Sequence, residues 1–374
     1  MIEQNVIQAS RDYHEIDTWL KEGGFERIML VCDSSFRFLR IRDYFTSLQE
    51  RLGVGITVFD HFQPNPLYES VVEGVQIFHR DGCRAIIAVG GGSAIDVAKC
   101  IKLYSNMDHS QNYLKQTIVP NDVRLLAIPT TAGTGSEATR YAVIYYEGAK
   151  QSVTDYSCIP DTVVMDSSAL LTLPAYQKKS TAMDALCHAI EAFWSVNSTE
   201  ESRGYSREAI RLILANLDAY LENDPAACAE MMRAAHTAGK AINITQTTAG
   251  HAMCYKITSL FGSAHGHAAA LVNRKLFPWM LSHTELCIDP RGESYLNTVF
   301  QEIAEAMDCR SPEDAAKYFD DLFQKLELAV PEASEEQFAI LKKSVNPVRL
   351  GNHPIKLSED AIDGLYHRIL GIAE

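Results

Sequence analysis

The sequence predicts an α/β domain over residues 1–170 followed by an all-helical domain over residues 171–374. Three observations carry this reading. Up to about residue 165, short apolar runs alternate with amphipathic helical stretches, the texture of strands and helices in turn. Beyond Pro174 the strand-like runs nearly vanish and long helical stretches replace them. A chain of 374 residues is also too long for one ordinary hydrophobic core.

Taken in order, Arg27 to Cys32 reads as a buried strand, and Asp33-Ser34-Ser35 can cap an amphipathic helix from Phe36 to Leu52. Gly55 to Phe59 is a second strand. After the turn-like Gln63-Pro64-Asn65-Pro66 a helical pattern covers Tyr68 to Arg80, and Arg84 to Val89 is again a continuous apolar strand. A glycine cluster, a helix from about Ala94 to Tyr104 and a strand from Arg124 to Ile128 follow. Strands apolar on both faces, spaced by helices, argue a parallel sheet covered on both sides, a nucleotide-binding type of domain. In the second part the helical stretches are Ser180 to Val196, Arg203 to Leu221, Pro225 to Thr245 and several more between Glu293 and Ala373. The cleft between two such domains is the expected place for an active site.

Composition excludes several classes. The net charge is −14, and neither part is basic, which argues against binding a nucleic-acid backbone. No apolar run is long enough to span a bilayer, and Met1-Ile2-Glu3-Gln4 is unlike a signal peptide, so a cytoplasmic location without membrane association is expected. The nine cysteines are scattered without a Cys-x-x-Cys pair and read as reduced.

Two loops suit a dinucleotide. The strand ending at Val89 runs into Gly90-Gly91-Gly92-Ser93 and then a helix carrying Asp96 and Lys99. Glycines let a backbone approach a pyrophosphate closely, and a helix N-terminus offers unpaired N–H groups. A plain strand-to-helix turn would use the same residues, with Ser93 as N-cap and Asp96 as its capping-box partner. The second loop, Pro129-Thr130-Thr131-Ala132-Gly133-Thr134-Gly135-Ser136-Glu137, follows a neighbouring strand, so both loops would open on one crevice at the carboxyl ends of the sheet. Neither matches the Gly-x-Gly-x-x-Gly or P-loop pattern. The candidate cofactor contacts are Gly90, Gly91, Gly92, Ser93, Asp96, Thr130, Thr131, Thr134 and Ser136, with Asp33 either on a ribose hydroxyl or capping a helix.

The second part holds a metal-ligand pattern. Asp184 and His188 stand four apart in a helical run and share one face. Such a pair alone is more often a surface or capping interaction, so it needs partners. His251 at a helix start and His265 after a Gly262-marked helix end supply them. An imidazole and carboxylate set suits Fe²⁺ or Zn²⁺ rather than Mg²⁺ or Ca²⁺. His267 reads as a donor to a ligand, a substrate contact or a bystander; His236, His283 and His353 read as ordinary histidines.

The ordered set of motifs resembles the iron-containing (group III) alcohol dehydrogenase family, whose fold is shared with dehydroquinate synthase and glycerol dehydrogenase. It comprises Asp33, Pro64-Asn65-Pro66, Gly90 to Ser93 with Asp96 and Lys99, Thr130 to Glu137, Asp166, Leu173-Pro174, Met183-Asp184-Ala-Leu-Cys-His188-Ala-Ile-Glu191, and the two later histidines. The resemblance implies an N-terminal dinucleotide domain, a helical metal domain and NAD(P)-linked interconversion of a small alcohol and its aldehyde. Its four metal ligands fall on Asp184, His188, His251 and His265, and Asp33 falls where an aspartate favours NAD(H) over NADP(H). Many members carry a further histidine four residues after the third ligand; here that position is Tyr255, so a proton relay would involve Tyr255, His267, water or a cofactor hydroxyl. The run from His251 to Ala270 further resembles the phosphonoacetaldehyde reductase branch. A homodimer is expected. The rival readings are a glycerol dehydrogenase-like or dehydroquinate synthase-like enzyme on the same fold, and a metal- and NAD-binding protein without turnover.

Overall fold

Apolar runs in the first part do become strands, and these pair in parallel in an order their sequence does not announce. The computed structural model describes residues 4–345 and 347–372, and it divides into two units, residues 1–173 and 174–374. In chain order the first unit contains β1 (Asn5–Gln8), β2 (Arg27–Cys32), β3 (Gly55–Phe59), β4 (Ala85–Gly90), β5 (Arg124–Pro129), β6 (Tyr141–Tyr146), β7 (Ala149–Thr154) and β8 (Thr162–Met165). Six of them form one parallel sheet in the order β1-β8-β5-β4-β2-β3. The other two, β6 and β7, form an antiparallel hairpin.

Alternation along the strands splits the core into two layers. Met29, Val31, Ile86, Ala88, Leu125 and Ala127 point to one face and pack under α4 (Tyr68–Arg80) and α5 (Gly92–Tyr104). Ile28, Leu30, Ile87, Val89, Leu126 and Ile128 point to the other. They pack with α1 (His14–Gly23), α2 (Ile41–Thr46) and α3 (Leu48–Leu52). Both faces being covered is why β4 is buried at all six positions and reads as an unbroken apolar run. β4 pairs with β5 from Ala85↔Arg124 to Gly90↔Pro129, so the two loops that follow leave the sheet side by side.

One expected element is different. The single helix from Phe36 to Leu52 is instead a 3₁₀ turn (Ser34–Phe38) and the two short helices α2 and α3. Leu39 takes an extended backbone with ψ 141°, which buries its side chain in the same core as Ile41. Next to it, Arg40 reaches Tyr13 Oη at 3.0 Å and Asp166 at 3.4 Å. The apolar stripe is preserved while the helix carrying it is broken.

The second unit contains α6 (Ala175–Trp194), α7 (Glu200–Leu221), α8 (Pro225–Thr245), α9 (Ala249–Phe261), α10 (His265–Leu281), α11 (Glu293–Ala306), α12 (Pro312–Lys325), α13 (Glu335–Ser344) and α14 (Glu359–Ile369). Its strand content among the described residues is the two-residue pair β9 (Glu332–Ala333) and β10 (Gly371–Ile372). Helix α6 is the axis: α7, α8, α10 and α11 all pack on it, and it is buried almost all round from Ala182 to Trp194. Its polar residues Asp184, His188 and Glu191 are therefore interior groups. Among the described residues no helix is long and apolar enough to cross a membrane. All nine cysteines are free.

Candidate metal centre and dinucleotide loops

Asp184 and His188 lie one turn apart on one face of α6, as their spacing requires, and the first turn of α9 brings His251 against them. Asp184 Oδ1 is 3.4 Å from His251 Nε2 and 3.9 Å from His188 Nε2. The two imidazoles are stacked, with centroids 4.5 Å apart and planes at 15°. All three residues are buried, and their ligand atoms lie within 4.8 Å of one another. Ligands at about 2.0–2.2 Å from one ion are separated by just such distances. Asp184 Oδ1 and His251 Nε2 are buried without a hydrogen-bond partner. Burial of that kind costs about 1–3 kcal/mol for a polar atom, and a cation between them would satisfy both. The donor set fits a metal ion.

Electrostatics around the cluster agree. Burial alone would raise the Asp184 carboxyl, yet His188, His251 and His265 hold it well below the usual carboxylate range. Burial opposes charge on His251 too, but Glu191 on one side and Asp184 on the other push it up to about 9.

Two glycines make the close packing possible. A Cβ on Gly266 would lie 2.1 Å from the Ser180 carbonyl oxygen and 2.5 Å from Asp184 Cβ, so α10 can begin against α6 only with hydrogen at that position. A Cβ on Gly250 would lie 2.3 Å from Glu191 Oε1 and 2.4 Å from Asn273 Nδ2. Each glycine adjoins a predicted ligand, His265 or His251.

The remaining predicted residues fall in different places. His265 starts α10 with its ring 5.3 Å from that of His251, but it is not one of the three residues whose ligand atoms lie within 4.8 Å of one another. Its Nδ1 is 3.8 Å from Cys254 Sγ, and Tyr255 stacks on it at 5.5 Å and 13°. His267 turns elsewhere: Nε2 donates to the Ala329 carbonyl at 2.8 Å, and Nδ1 is 2.9 Å from Tyr176 Oη. With both ring nitrogens engaged and burial lowering its pKa, His267 braces α10 against its neighbours. His353, read as ordinary, is fully buried with neither ring nitrogen hydrogen-bonded, and burial pushes it down to about 4.

In the first unit the two glycine and threonine loops meet. Thr130 N donates to the Gly90 carbonyl at 3.1 Å. The Gly91 and Gly92 backbones pass the side chains of Thr131 and Thr134, which stand 3.4 Å and 3.0 Å from where a Cβ would be. The capping box expected of Ser93 and Asp96 is not formed. Helix α5 begins at Gly92 with Gly91 as N-cap and no side-chain cap, because Asp96 is drawn instead to Ser136 Oγ at 2.6 Å and Val143 N at 2.9 Å. Lys99, which the sequence offers only as part of a motif, is fully buried. Its Nζ donates to the carbonyls of Ser136 at 2.5 Å, Thr139 at 2.7 Å and Tyr141 at 2.7 Å. Asp96, Lys99 and Ser136 thus hold the second loop in shape. Asp33 caps as foreseen, Oδ1 accepting from Ser35 N at 2.8 Å, while Oδ2 lies 3.0 Å from the Cβ position of Gly90.

Glu191 stands in the sequence only as the last residue of the Met183 to Glu191 motif. It sits seven residues after Asp184 on the same helix face, and its Oε1 is 2.6 Å from His251 Nδ1. His251, with hydrogen bonds from Asn273 and the Thr248 backbone, holds its carboxyl at about 2 against the effect of burial. A third polar residue continuing the Asp184 and His188 stripe was the signal available.

Comparisons with known proteins agree with this architecture. Residues 4–167 match the family model described as iron-containing alcohol dehydrogenase, and residues 178–370 match that described as Fe-containing alcohol dehydrogenase family, C-terminal. The long-chain-alcohol dehydrogenase 1 of Geobacillus thermodenitrificans is 29% identical over 93% of this chain and 90% of its own. Phosphonoacetaldehyde reductase of Streptomyces viridochromogenes is 33% identical over 58% of this chain and 59% of its own. Aldehyde-alcohol dehydrogenase 2 of Entamoeba histolytica is 30% identical over 80% of this chain but 37% of its own, so the chain spans about a third of the length of that relative. Among solved structures, sulfoacetaldehyde reductase from Bifidobacterium kashiwanohense in complex with NAD+ superposes with a TM-score of 0.87 at 24% identity, covering 99% of this chain and 97% of its own. The chain belongs to the iron-containing alcohol dehydrogenase family.

Proposed function

We propose that the protein is a metal-dependent, NAD(H)-linked aldehyde reductase acting on a small aldehyde, with an anionic aldehyde of the phosphonoacetaldehyde type as the first candidate. The observation that carries the metal part is the buried triad of Asp184, His188 and His251 with two polar atoms lacking partners. Asp184, His188 and His251 would hold Fe²⁺ or Zn²⁺, with His265 completing the set from the start of α10. When bound, the metal supplies Lewis acidity to a carbonyl oxygen and the nicotinamide supplies hydride.

The chain's own residues have separate tasks. The glycine loop and the first turn of α5 present backbone N–H groups suited to a pyrophosphate, and the clamp of Asp96, Lys99 and Ser136 keeps the Thr130 to Thr134 hydroxyls beside them. Asp33, with Oδ2 next to Gly90, suits a ribose hydroxyl and would repel a 2′-phosphate, which supports NAD(H) over NADP(H). Tyr255, stacked on His265, is the candidate to pass a proton to the product alkoxide, since both ring nitrogens of His267 are engaged. Lys256, next along α9, is the candidate cation for an anionic substrate. The anionic aldehyde is favoured because one relative is a phosphonoacetaldehyde reductase and one structural neighbour a sulfoacetaldehyde reductase.

The test is NADH and NADPH oxidation by protein loaded with Fe²⁺ or Zn²⁺, with phosphonoacetaldehyde, acetaldehyde and longer neutral aldehydes as substrates. NADH oxidation with the highest kcat/KM on the phosphonate is the expected result. Turnover of neutral aldehydes alone would remove the anionic substrate, and no hydride transfer with any aldehyde by metal-loaded protein would remove the reductase.

A further inference from the structure

Glu191 is fully buried on α6, and its carboxylate is saturated from two other helices. Oε1 accepts from His251 Nδ1 at 2.6 Å and from Asn273 Nδ2 on α10 at 2.9 Å. Oε2 accepts from Thr248 N at 2.7 Å, Thr248 Oγ1 at 2.9 Å and His251 N at 3.3 Å. Trp194, one turn further along α6, donates from Nε1 to Thr248 Oγ1 at 2.9 Å and so fixes the hydroxyl that Glu191 receives.

A carboxylate only accepts, so the proton on this side of His251 sits on Nδ1. Nε2 is then the ring nitrogen turned toward Asp184 Oδ1, 3.4 Å away, and the one that would ligate a metal once it gives up its own proton. The same carboxylate also receives two backbone N–H groups at the start of α9, Thr248 and His251, which a helix leaves unsatisfied. Thr248 itself makes no side-chain cap to its own helix. The ring and the backbone that carries it are therefore fixed by one group, in a space that stays open because residue 250 has no side chain.

We propose that Glu191 is a positioning residue of the metal centre, which sets the tautomer and direction of His251 and anchors the first turn of α9 beside Asp184 and His188. The proposal rests on the metal reading above. Carboxylates in this relation to a ligating histidine typically change metal affinity by about 10–100-fold when replaced.

Chelator competition for Zn²⁺ tests it on the full chain, comparing wild type with Glu191→Gln, Asn273→Ala and Asp184→Ala. The expected order is tight binding by wild type, a loss of about 10–100-fold in Glu191→Gln, a smaller loss in Asn273→Ala, and no stoichiometric binding in Asp184→Ala. On the wild type alone, ¹⁵N spectra of the Zn²⁺-loaded, histidine-labelled protein should show His251 with a protonated Nδ1 and a metal-bound Nε2, a readout that does not depend on any variant folding. Wild type that binds no Zn²⁺ overturns the metal reading and the proposal with it. Wild type that binds Zn²⁺ while folded Glu191→Gln binds equally tightly, or His251 ligating through Nδ1, overturns the role of Glu191 and leaves the metal reading standing.

Discussion

The loops after β4 and β5 and the cluster on α6 and α9 use similar residue types in opposite ways. In the loops, the polar side chains are already engaged with one another: Asp96 with Ser136 and Val143, and Lys99 with three carbonyls. What they shape is backbone. In the helical cluster, Asp184 Oδ1 and His251 Nε2 have no hydrogen-bond partner, while Glu191 beside them is saturated. A polar residue in a motif can thus be a contact or the brace behind one, and its hydrogen-bond account tells which.

The largest effect that would break this comparison is at the ligands. Asp184→Ala should lose its metal and with it NADH-dependent aldehyde reduction, as read by metal analysis and turnover. His265→Ala should retain more metal than Asp184→Ala, because His265 lies outside the mutually close triad; equal loss would show that His265 swings fully into the set. Next comes packing. Gly266→Ala forces a methyl to 2.1 Å from a backbone oxygen and should destabilise by about 1–3 kcal/mol or more, whereas Gly92→Ala meets only Thr134 at 3.0 Å and should cost less. Chemical denaturation of both variants measures the difference.

Lys99→Met should separate the two regions. The carbonyls of Ser136, Thr139 and Tyr141 would lose the Lys99 donor, a cost of about 1–3 kcal/mol for a buried one left unmet. KM for NADH should then rise several-fold while metal content stays at the wild-type level; a parallel fall in metal would deny that the loop clamp acts on the cofactor side alone. The smallest effect concerns pH. Burial would raise the Asp161 carboxyl, but hydrogen bonds from Arg124, Trp19 and Leu125 N hold it below its ordinary 3.8. A depressed carboxyl adds stability that is present above the unfolded value and lost as pH falls through the folded one. Asp161→Asn should therefore flatten the acid limb of the stability curve below about pH 4 and leave the neutral region of the metal cluster untouched.

Sequence reading succeeds where the determinant is local. The pattern of β4, its glycine loop and α5 is contiguous, and the Asp184 and His188 pair follows from one helical turn. It falls short where the determinant is distant. Strand β1 is short and mostly exposed, and its pairing of Asn5 with Thr162 is set by the sheet rather than by a nearby pattern. The helix foreseen from Phe36 to Leu52 breaks at Leu39, whose extended backbone turns its side chain into the core of the sheet, and Arg40 beside it reaches Tyr13 and Asp166, partners remote in the chain. Ser93 and Asp96 have capping-box spacing, yet Asp96 goes to Ser136 because the second loop arrives within reach. His267 has the type and position of a catalytic group, and only the Ala329 carbonyl and Tyr176 reveal its engagement.

The glycine after His265 has a consequence for transplantation. Its backbone must pass close enough to α6 that a single methyl would strike the Ser180 carbonyl. Copying Asp184, His188 and His251 onto another helical scaffold, with His265 as the proposed fourth ligand, would reproduce the chemistry of the side chains and miss the close approach of α10 to α6 that sets His265 beside the other three. A graft would need the crossing of α6 and α10 as its unit of inheritance, with the ligands carried along as passengers.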